Sequence, residues 1–153
     1  MSKQLFKSFY GSVVRDITTF GGSPFYAALV IFLLLIQQIS LVIELILGLI
    51  IIVFIAVLIR TFYYKARPKE LPHKTWIERI EASSFPSIHA ARAIFLALIF
   101  GTYYQIIGVS ILLTVSALAV CYSRIYLRRH DIPDILAGIT LGTITFLIIN
   151  RII

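Results

Sequence analysis

The chain has 153 residues, of which 59% are hydrophobic, and its mean hydropathy is +0.96. A chain this apolar is excluded as a soluble globular domain, so we predict one integral membrane domain comprising residues 1–153. The formal net charge is +7, but the basic residues flank apolar segments. We therefore expect anionic lipid headgroups and a phosphate-bearing ligand as partners, and no nucleic acid. Cys121, the sole cysteine, lies inside an apolar run, which excludes a disulfide framework or a cysteine-based zinc site.

Residues 3–20 begin the chain with aromatic and aliphatic side chains at helical spacing, interrupted by Lys3, Lys7 and Arg15. This pattern predicts an amphipathic helix that lies in the membrane interface. The sequence Gly-Gly-Ser-Pro at residues 21–24 then predicts a break followed by a new helix start.

Five apolar segments follow, and we expect each of them to cross the membrane. They cover residues 25–36, 41–59, 88–104, 106–121 and 133–149. The first segment is short for a hydrocarbon core of about 30 Å, so it needs help from flanking residues or neighbouring helices. The predicted fold class is all-α: an integral membrane helical bundle of about five transmembrane helices plus the N-terminal interfacial helix.

Two features inside the spans bear on packing and function. Glu44 is either a functional intramembrane acid or a residue near the interface, at the opposite end of its helix from Arg60. Gly138 and Gly142 are spaced as a small-residue face that contacts another helix.

Two polar connections, residues 60–88 and 122–133, are predicted to hold the active site. With five spans, both connections and the N-terminal helix fall on one membrane face. Of the 14 Lys and Arg residues, 13 belong to that face and only Arg151 to the other. The positive-inside rule then predicts a protein of the cell membrane whose site faces the cytoplasm.

The second connection contains a compact set of reactive groups. His130 and Asp134 are four residues apart, and Pro133 suits the first turn of the following helix. A carboxylate at this spacing can reach one imidazole nitrogen and leave the other free as a nucleophile or base. Arg124 adds a planar anion-binding group. Together these residues indicate phosphate chemistry at a membrane surface.

Three stretches on this face complete a pattern: Arg60 with Arg67-Pro68, then Pro86-Ser87-Ile88-His89, then Ser123-Arg124 with His130 and Asp134. In order and spacing they resemble the three motifs of the type-2 phosphatidic acid phosphatase superfamily, membrane relatives of the vanadium haloperoxidases. Those motifs are Lys-x6-Arg-Pro, Pro-Ser-Gly-His and Ser-Arg-x5-His-x3-Asp. The third motif matches completely, whereas Ile88 replaces the usual glycine and Arg60 the usual lysine. The resemblance covers about residues 60 to 142. It implies a site on the outer face of the membrane, which is the opposite of what the positive-inside rule predicts.

The resemblance and the chemistry of the side chains imply the same catalytic roles. His130 would attack phosphorus and form a phosphohistidine, Asp134 would hold its imidazole, and His89 would protonate the leaving oxygen. The phosphoryl oxygens would be bound by Arg60, Arg67, Ser87, the N–H of Ile88 and Arg124. No metal and no cofactor are implied.

Other polar residues near the motifs are given supporting roles. Arg92 shares a helix face with His89, and is either a supporting phosphate ligand or a partner for Asp131 or Asp134. Ser123 is a second candidate supporting residue. The remaining basic residues of the connections predict contacts with lipid headgroups, among them Lys65, Lys69, Lys74, Arg128 and Arg129.

The function predicted from the resemblance is hydrolysis of a lipid phosphomonoester or diphosphate. Phosphatidic acid, phosphatidylglycerol phosphate and polyprenyl diphosphates are the candidate substrates. The alternative is a catalytically silent membrane protein that binds lipid phosphate or acts as a scaffold. A transporter is less favoured, because the sequence shows no inverted repeat of broken helices. The oligomeric state is not indicated by the sequence.

Overall fold

The computed structural model describes residues 3–69 and 72–153, without the side chains of Lys3, Gln4 and Phe6. Glu70 and Leu71, which belong to the predicted 60–88 connection, lie outside the described residues. The described residues form seven helices and no strand, which confirms the all-α prediction. The helices are α1 (Lys3–Thr19), α2 (Ser23–Leu35), α3 (Ile39–Phe62), α4 (Trp76–Ala82), α5 (Ile88–Tyr104), α6 (Ile107–Tyr126) and α7 (Ile132–Ile152).

Within the described ranges, three helices are long and apolar enough to cross a membrane, namely α3, α6 and α7. Residues 7–19 of α1 and the whole of α2 meet the same criterion together, as a pair bent by 48°. Helix α5 is apolar but shorter, with 17 residues. The helices therefore define an integral membrane protein. The count of five spans and the interfacial position of α1 stay predictions.

Helix α5 is the centre of the bundle and packs against α3, α6 and α7. Close approach depends on small residues at the contacts. The ring of Phe95 occupies the space where Gly48 of α3 would carry a Cβ, and Gly142 of α7 lies against the backbone of Ala91. A Cβ on Gly138 would lie 2.5 Å from the carbonyl oxygen of Ser87. The predicted glycine face of the last helix is therefore confirmed, and it is directed at the start of α5.

The observed helix ends correct the predicted boundaries of both connections. Helix α6 continues to Tyr126, so Ser123 and Arg124 are part of its final turns instead of a loop over residues 122–133. Only residues 127–131 connect α6 to α7. The 60–88 connection likewise begins with the last turn of α3, which carries Arg60, and it contains α4. Long arginine side chains can remain on an apolar helix because their charged ends extend toward the polar face.

Candidate active site

One backbone hydrogen bond joins the start of α5 to the first turn of α7 and holds the second and third motifs against each other. The N–H of Ser87 donates to the carbonyl of Asp134 at 3.0 Å, and the Ser87 hydroxyl caps α5 by accepting from the N–H of Ala90 at 3.4 Å. The carboxylate of Asp134 accepts from the N–H of Asp131 at 3.0 Å in a capping box. Ser87 and Asp134 are both fully buried. The two motifs therefore form one rigid unit.

His130 lies beside Asp134, as its spacing predicts, but outside hydrogen-bond distance. Its Nδ1 is 3.7 Å from Oδ2 of Asp134, longer than a normal hydrogen bond. The His130 side chain is buried, and Nδ1 has no hydrogen-bond partner among the described residues. A contraction of a few tenths of an ångström would close the pair. We expect it to close when the ring becomes cationic, as it would on bonding to phosphorus.

Lys65 is the strongest partner of Asp134, which corrects our prediction that this lysine contacts headgroups. Its Nζ lies 2.7 Å from Oδ1 of Asp134 and 3.3 Å from Oδ2 of Asp131. Burial disfavours the charged ammonium, but the two carboxylates outweigh this and raise the pKa of Lys65 above its ordinary value. The buried negative charge of Asp134 is therefore balanced from the 60–88 connection.

Three arginines each have a buried Nε without a hydrogen-bond partner among the described residues: Arg67, Arg92 and Arg124. Within the described residues, each is held by a single hydrogen bond from another of its nitrogens. The acceptors are the Glu81 carbonyl at 2.6 Å, the Ser23 hydroxyl at 2.9 Å and the Thr18 hydroxyl at 2.9 Å, respectively. Buried donors without protein partners are unusual in native structures. A phosphoryl group, with several strong acceptor oxygens, is a ligand that would satisfy them.

His89 and His130 lie among these cations. The ionisable neighbours of His89 are Arg124, Arg92, Arg67 and His130. Those of His130 include Arg124, Arg67 and Asp134. Burial, followed by the charges of Arg124 and Arg67, lowers the pKa of His130 to about 3 against the opposing effect of Asp134. Burial and the charge of Arg129 likewise lower the pKa of Arg67. His130 is therefore neutral at physiological pH and keeps the lone pair that a nucleophile needs.

Arg60 is placed differently from the other predicted phosphate ligands. Its Nε, Nη1 and Nη2 donate to the carbonyls of Phe85, Ile80 and Pro86 at 3.3, 3.3 and 2.8 Å. A guanidinium has five N–H donors, so three of them are engaged with the segment that leads into α5. Arg60 thus holds the second motif in position, while its direct contact with phosphate stays a prediction.

The remaining predicted site residues can also be located. Ile88 begins α5, and its side chain packs against the main apolar core, where the glycine usual at this position would leave space. Ser123 is buried and donates to the carbonyl of Val120 at 2.7 Å, so its hydroxyl is engaged within its own helix. Among the described residues, Asp131 and Asp134 form ion pairs with Lys65 and not with Arg92, so the alternative in which Arg92 pairs with either acid is not observed.

Sequence reasoning missed three residues that contact the site: Lys65, Thr18 and Ser23. Thr18 and Ser23 flank the break between α1 and α2, and they hold Arg124 and Arg92. Gly21 allows this break to approach the site, because a Cβ there would lie 2.9 Å from the carbonyl oxygen of His89. A buried acid such as Asp134 needs a counter-charge, which is the one signal that could have indicated Lys65.

Fold and site together define a helical membrane protein in which buried arginines surround two histidines. In the described ranges, no group of three or more His, Cys, Asp or Glu side chains could hold a metal ion. The family model of the PAP2 superfamily matches residues 41–153, and the chain belongs to that superfamily. The resemblance inferred from the motifs is thereby confirmed.

Two solved structures share the fold. The crystal structure of Aquifex aeolicus LpxE superimposes with a TM-score of 0.78 at 23% identity, covering 94% of this chain and 86% of that one. The PAP2-type phosphatidylglycerolphosphate phosphatase of Bacillus subtilis gives a TM-score of 0.71 at 24% identity, covering 94% and 76%. No curated protein matches the sequence. This chain therefore has the fold of two membrane-protein structures and belongs to the PAP2 superfamily.

Proposed function

We propose that the protein hydrolyses a phosphomonoester or diphosphate of a lipid through a phosphohistidine on His130. The observation that carries the proposal is the convergence of His130, His89 and the two cations Arg67 and Arg124, whose buried Nε groups have no protein partner in the described residues. A catalytically silent protein that only binds lipid phosphate would need the arginines. It would not need a neutral, buried imidazole next to a carboxylate, which favours the enzyme over this alternative.

In the first step, Nε2 of His130 attacks phosphorus while the bond to the leaving oxygen breaks. Arg67 and Arg124 neutralise the nonbridging oxygens, whose charge persists through a loose transition state. The imidazole becomes cationic, and its Nδ1–H closes onto Asp134. Binding of the phosphate favours the protonated form of His89, which transfers its proton to the departing oxygen.

In the second step, water replaces His130 on phosphorus. His89 is now neutral and removes a proton from the attacking water, which lies where the leaving group was. Inorganic phosphate departs, and His130 returns to its neutral form. No step as written uses a metal ion, and metal independence is part of the proposal.

The position of the site supports a lipid substrate. His130 lies between the end of α6 and the start of α7, both apolar helices, so the phosphate of a lipid could reach it while the hydrocarbon chain stays at membrane depth. The related Bacillus subtilis protein is described as a phosphatidylglycerolphosphate phosphatase. Phosphatidic acid, phosphatidylglycerol phosphate and polyprenyl diphosphates are the substrates to compare.

The test is phosphate release from a panel of these lipids by the purified protein in detergent, with and without EDTA. We expect hydrolysis that EDTA leaves unchanged, and its loss in His130→Ala. Asp134→Asn should retain binding but lose most of the rate, because the imidazole is no longer oriented. Binding of lipid phosphate without turnover would instead establish the silent scaffold. Hydrolysis that EDTA abolishes would contradict metal independence.

A further inference from the structure

Arg92 is a buried cation that the proposed chemistry on phosphorus does not use. Its residue is 8% exposed, yet its sole hydrogen bond to a described residue runs from Nη1 to the Ser23 hydroxyl at 2.9 Å, and its buried Nε has none. Among the described residues, Arg92 forms no ion pair with Asp131 or Asp134, and both of these acids pair with Lys65. Keeping an unpaired charge inside a helical bundle is costly, so an arginine in this setting is expected to meet an anion.

Arg92 and Arg124 are both neighbours of His89, but they are held by different helices. Ser23 of α2 accepts a hydrogen bond from Arg92, whereas Thr18 of α1 accepts one from Arg124. Arg92 follows His89 by three residues on the same face of α5, which puts it about 4.5 Å deeper along the helix axis. It therefore lies on the side of His89 that faces the membrane interior, where the leaving group departs.

The start of α2 supplies further donors at the same place. Ser23 is the first residue of α2, a helix of 13 residues whose first turn is not capped by any described side chain. Uncapped N–H groups at a helix start favour a negative charge. The glycines before Ser23 let this turn approach α5, since Gly21 lies against the carbonyl of His89. Arg92, Ser23 and the first turn of α2 thus form one cluster of donors.

Beyond this cluster lies a cavity of about 270 Å³ between α2, α5 and α6. Its lining is apolar apart from Ser116, whose hydroxyl donates to its own helix at the Leu112 carbonyl. Ala93, next to Arg92, and Phe25, two residues after Ser23, both line it. The cavity therefore adjoins the chain neighbours of Arg92 and Ser23, and its apolar lining suits hydrocarbon.

We infer that Arg92 and Ser23 bind an anionic phosphate in the leaving group, so that the preferred substrates are lipids with a second phosphate behind the scissile one. This inference rests on the proposed phosphatase function and narrows its substrate class. In a lipid diphosphate, His130 attacks the terminal phosphorus and the bond to the bridging oxygen breaks. The electron pair stays on that oxygen, and the lipid monophosphate that leaves carries the added charge next to Arg92. Water then releases the terminal phosphate from His130.

The experiment compares substrates with the same tail and different leaving groups. Farnesyl diphosphate releases farnesyl monophosphate, whereas farnesyl monophosphate releases neutral farnesol. Phosphatidylglycerol phosphate and phosphatidic acid form a second pair, in which the anion of the leaving group is a more distant phosphodiester. The ratio of kcat/KM within each pair is measured on one preparation, so the fraction of folded enzyme cancels.

Wild-type enzyme should favour the anionic leaving group in at least one pair. Arg92→Gln should lower that ratio about ten-fold or more, since a charge-assisted hydrogen bond is lost. Ser23→Ala should lower it less, and it keeps the test available if Arg92→Gln does not fold. Ser116→Ala, which removes a hydroxyl engaged within its own helix, should leave the ratio unchanged.

The pair that responds identifies the source of the anion: the farnesyl pair points to a directly linked diphosphate, the glycerolipid pair to a phosphodiester. Either response supports the subsite. Equal losses of kcat/KM on both members of both pairs, or unchanged ratios in Arg92→Gln and Ser23→Ala, would overturn it while leaving lipid phosphatase activity intact. If wild-type enzyme hydrolyses none of the four lipids, the proposed function itself fails.

Discussion

Replacing Lys65 with methionine tests whether the balance of charge around Asp134 sets the state of the nucleophile. The substitution keeps an unbranched apolar side chain as far as Cε and removes the ammonium that lies 2.7 Å from a fully buried carboxylate. Asp134 then keeps the N–H of Asp131, a hydrogen bond from Ser84 and the neighbouring His130, none of which is a fixed positive charge. An unbalanced carboxylate at 3.7 Å should draw a proton to the His130 imidazole and raise its pKa.

The size of the effect can be worked from the geometry. Removing one partner of a buried ion pair costs about 3–5 kcal/mol. The side chain of Lys65 is 24% exposed, so water screens part of the interaction, and about 2–3 kcal/mol is expected in the free energy of unfolding. If about half of this is recovered by charging His130, the pKa of His130 rises by about one unit, since one unit corresponds to about 1.4 kcal/mol.

The assay is the pH dependence of hydrolysis of a soluble aryl phosphate in detergent. The acidic limb of the pH–rate profile should move to higher pH by about one unit in Lys65→Met. It should stay near its wild-type position in Lys65→Arg. Lys69→Met is the control, because Lys69 is exposed and its described hydrogen bond is made by its backbone N–H. A loss of rate that is the same at every pH would refute the reasoning, since a purely structural role would give that result.

Three further predictions concern the nucleophile, the packing of the site and its side of the membrane. Because the pKa of His130 is lowered to about 3, its imidazole NMR signal, assigned with His130→Asn, should not titrate between pH 7 and pH 5. In the unfolded chain His130 binds a proton at a higher pH than in the folded protein, so it should make the fold less stable as pH falls below about 6.5. Thermal unfolding of the wild-type protein and His130→Asn at several pH values would detect this. Gly138→Ala should cost about 1–3 kcal/mol in stability and most of the activity through its clash with α5, whereas Gly108→Ala, with open space around it, should cost neither. A cysteine at Lys69 in a Cys121→Ser background should resist a membrane-impermeant maleimide in intact cells and react after lysis, as a cytoplasmic site requires; labelling of intact cells would place the site on the outer face.

Much of the fold follows from the sequence, because apolar runs bounded by polar or glycine-rich breaks determine where membrane helices form. The predicted third span, residues 88–104, coincides with α5. The end of α6 was placed too early, because Ser123 and Arg124 resemble loop residues by composition. Inside the helix, however, the guanidinium of Arg124 reaches the Thr18 hydroxyl and the Ser123 hydroxyl bonds to its own helix. The polarity of a residue alone does not show whether it lies in a loop or in the last turns of a membrane helix.

Spacing alone predicts contacts between residues close in sequence, whereas distant residues were grouped only where the family motifs name them. His130 and Asp134 are one helical turn apart, so their proximity follows from spacing. Lys65 precedes Asp134 by 69 residues, and its contact depends on the path of the 60–88 connection. The same holds for Arg60, whose three bonds to backbone carbonyls need the exact course of the segment before α5. No local pattern encodes such contacts.

The central claim is a covalent phosphate on His130, and trapping that intermediate tests it most directly. Enzyme turning over a lipid substrate labelled in its terminal phosphate is quenched in denaturant at alkaline pH, and the protein-bound label is then mapped. We predict label on His130 that is lost in acid, absent from His130→Ala and present in His73→Ala, which removes a histidine outside the site. Rapid turnover with no protein-bound label, or label that persists in His130→Ala, would contradict the claim.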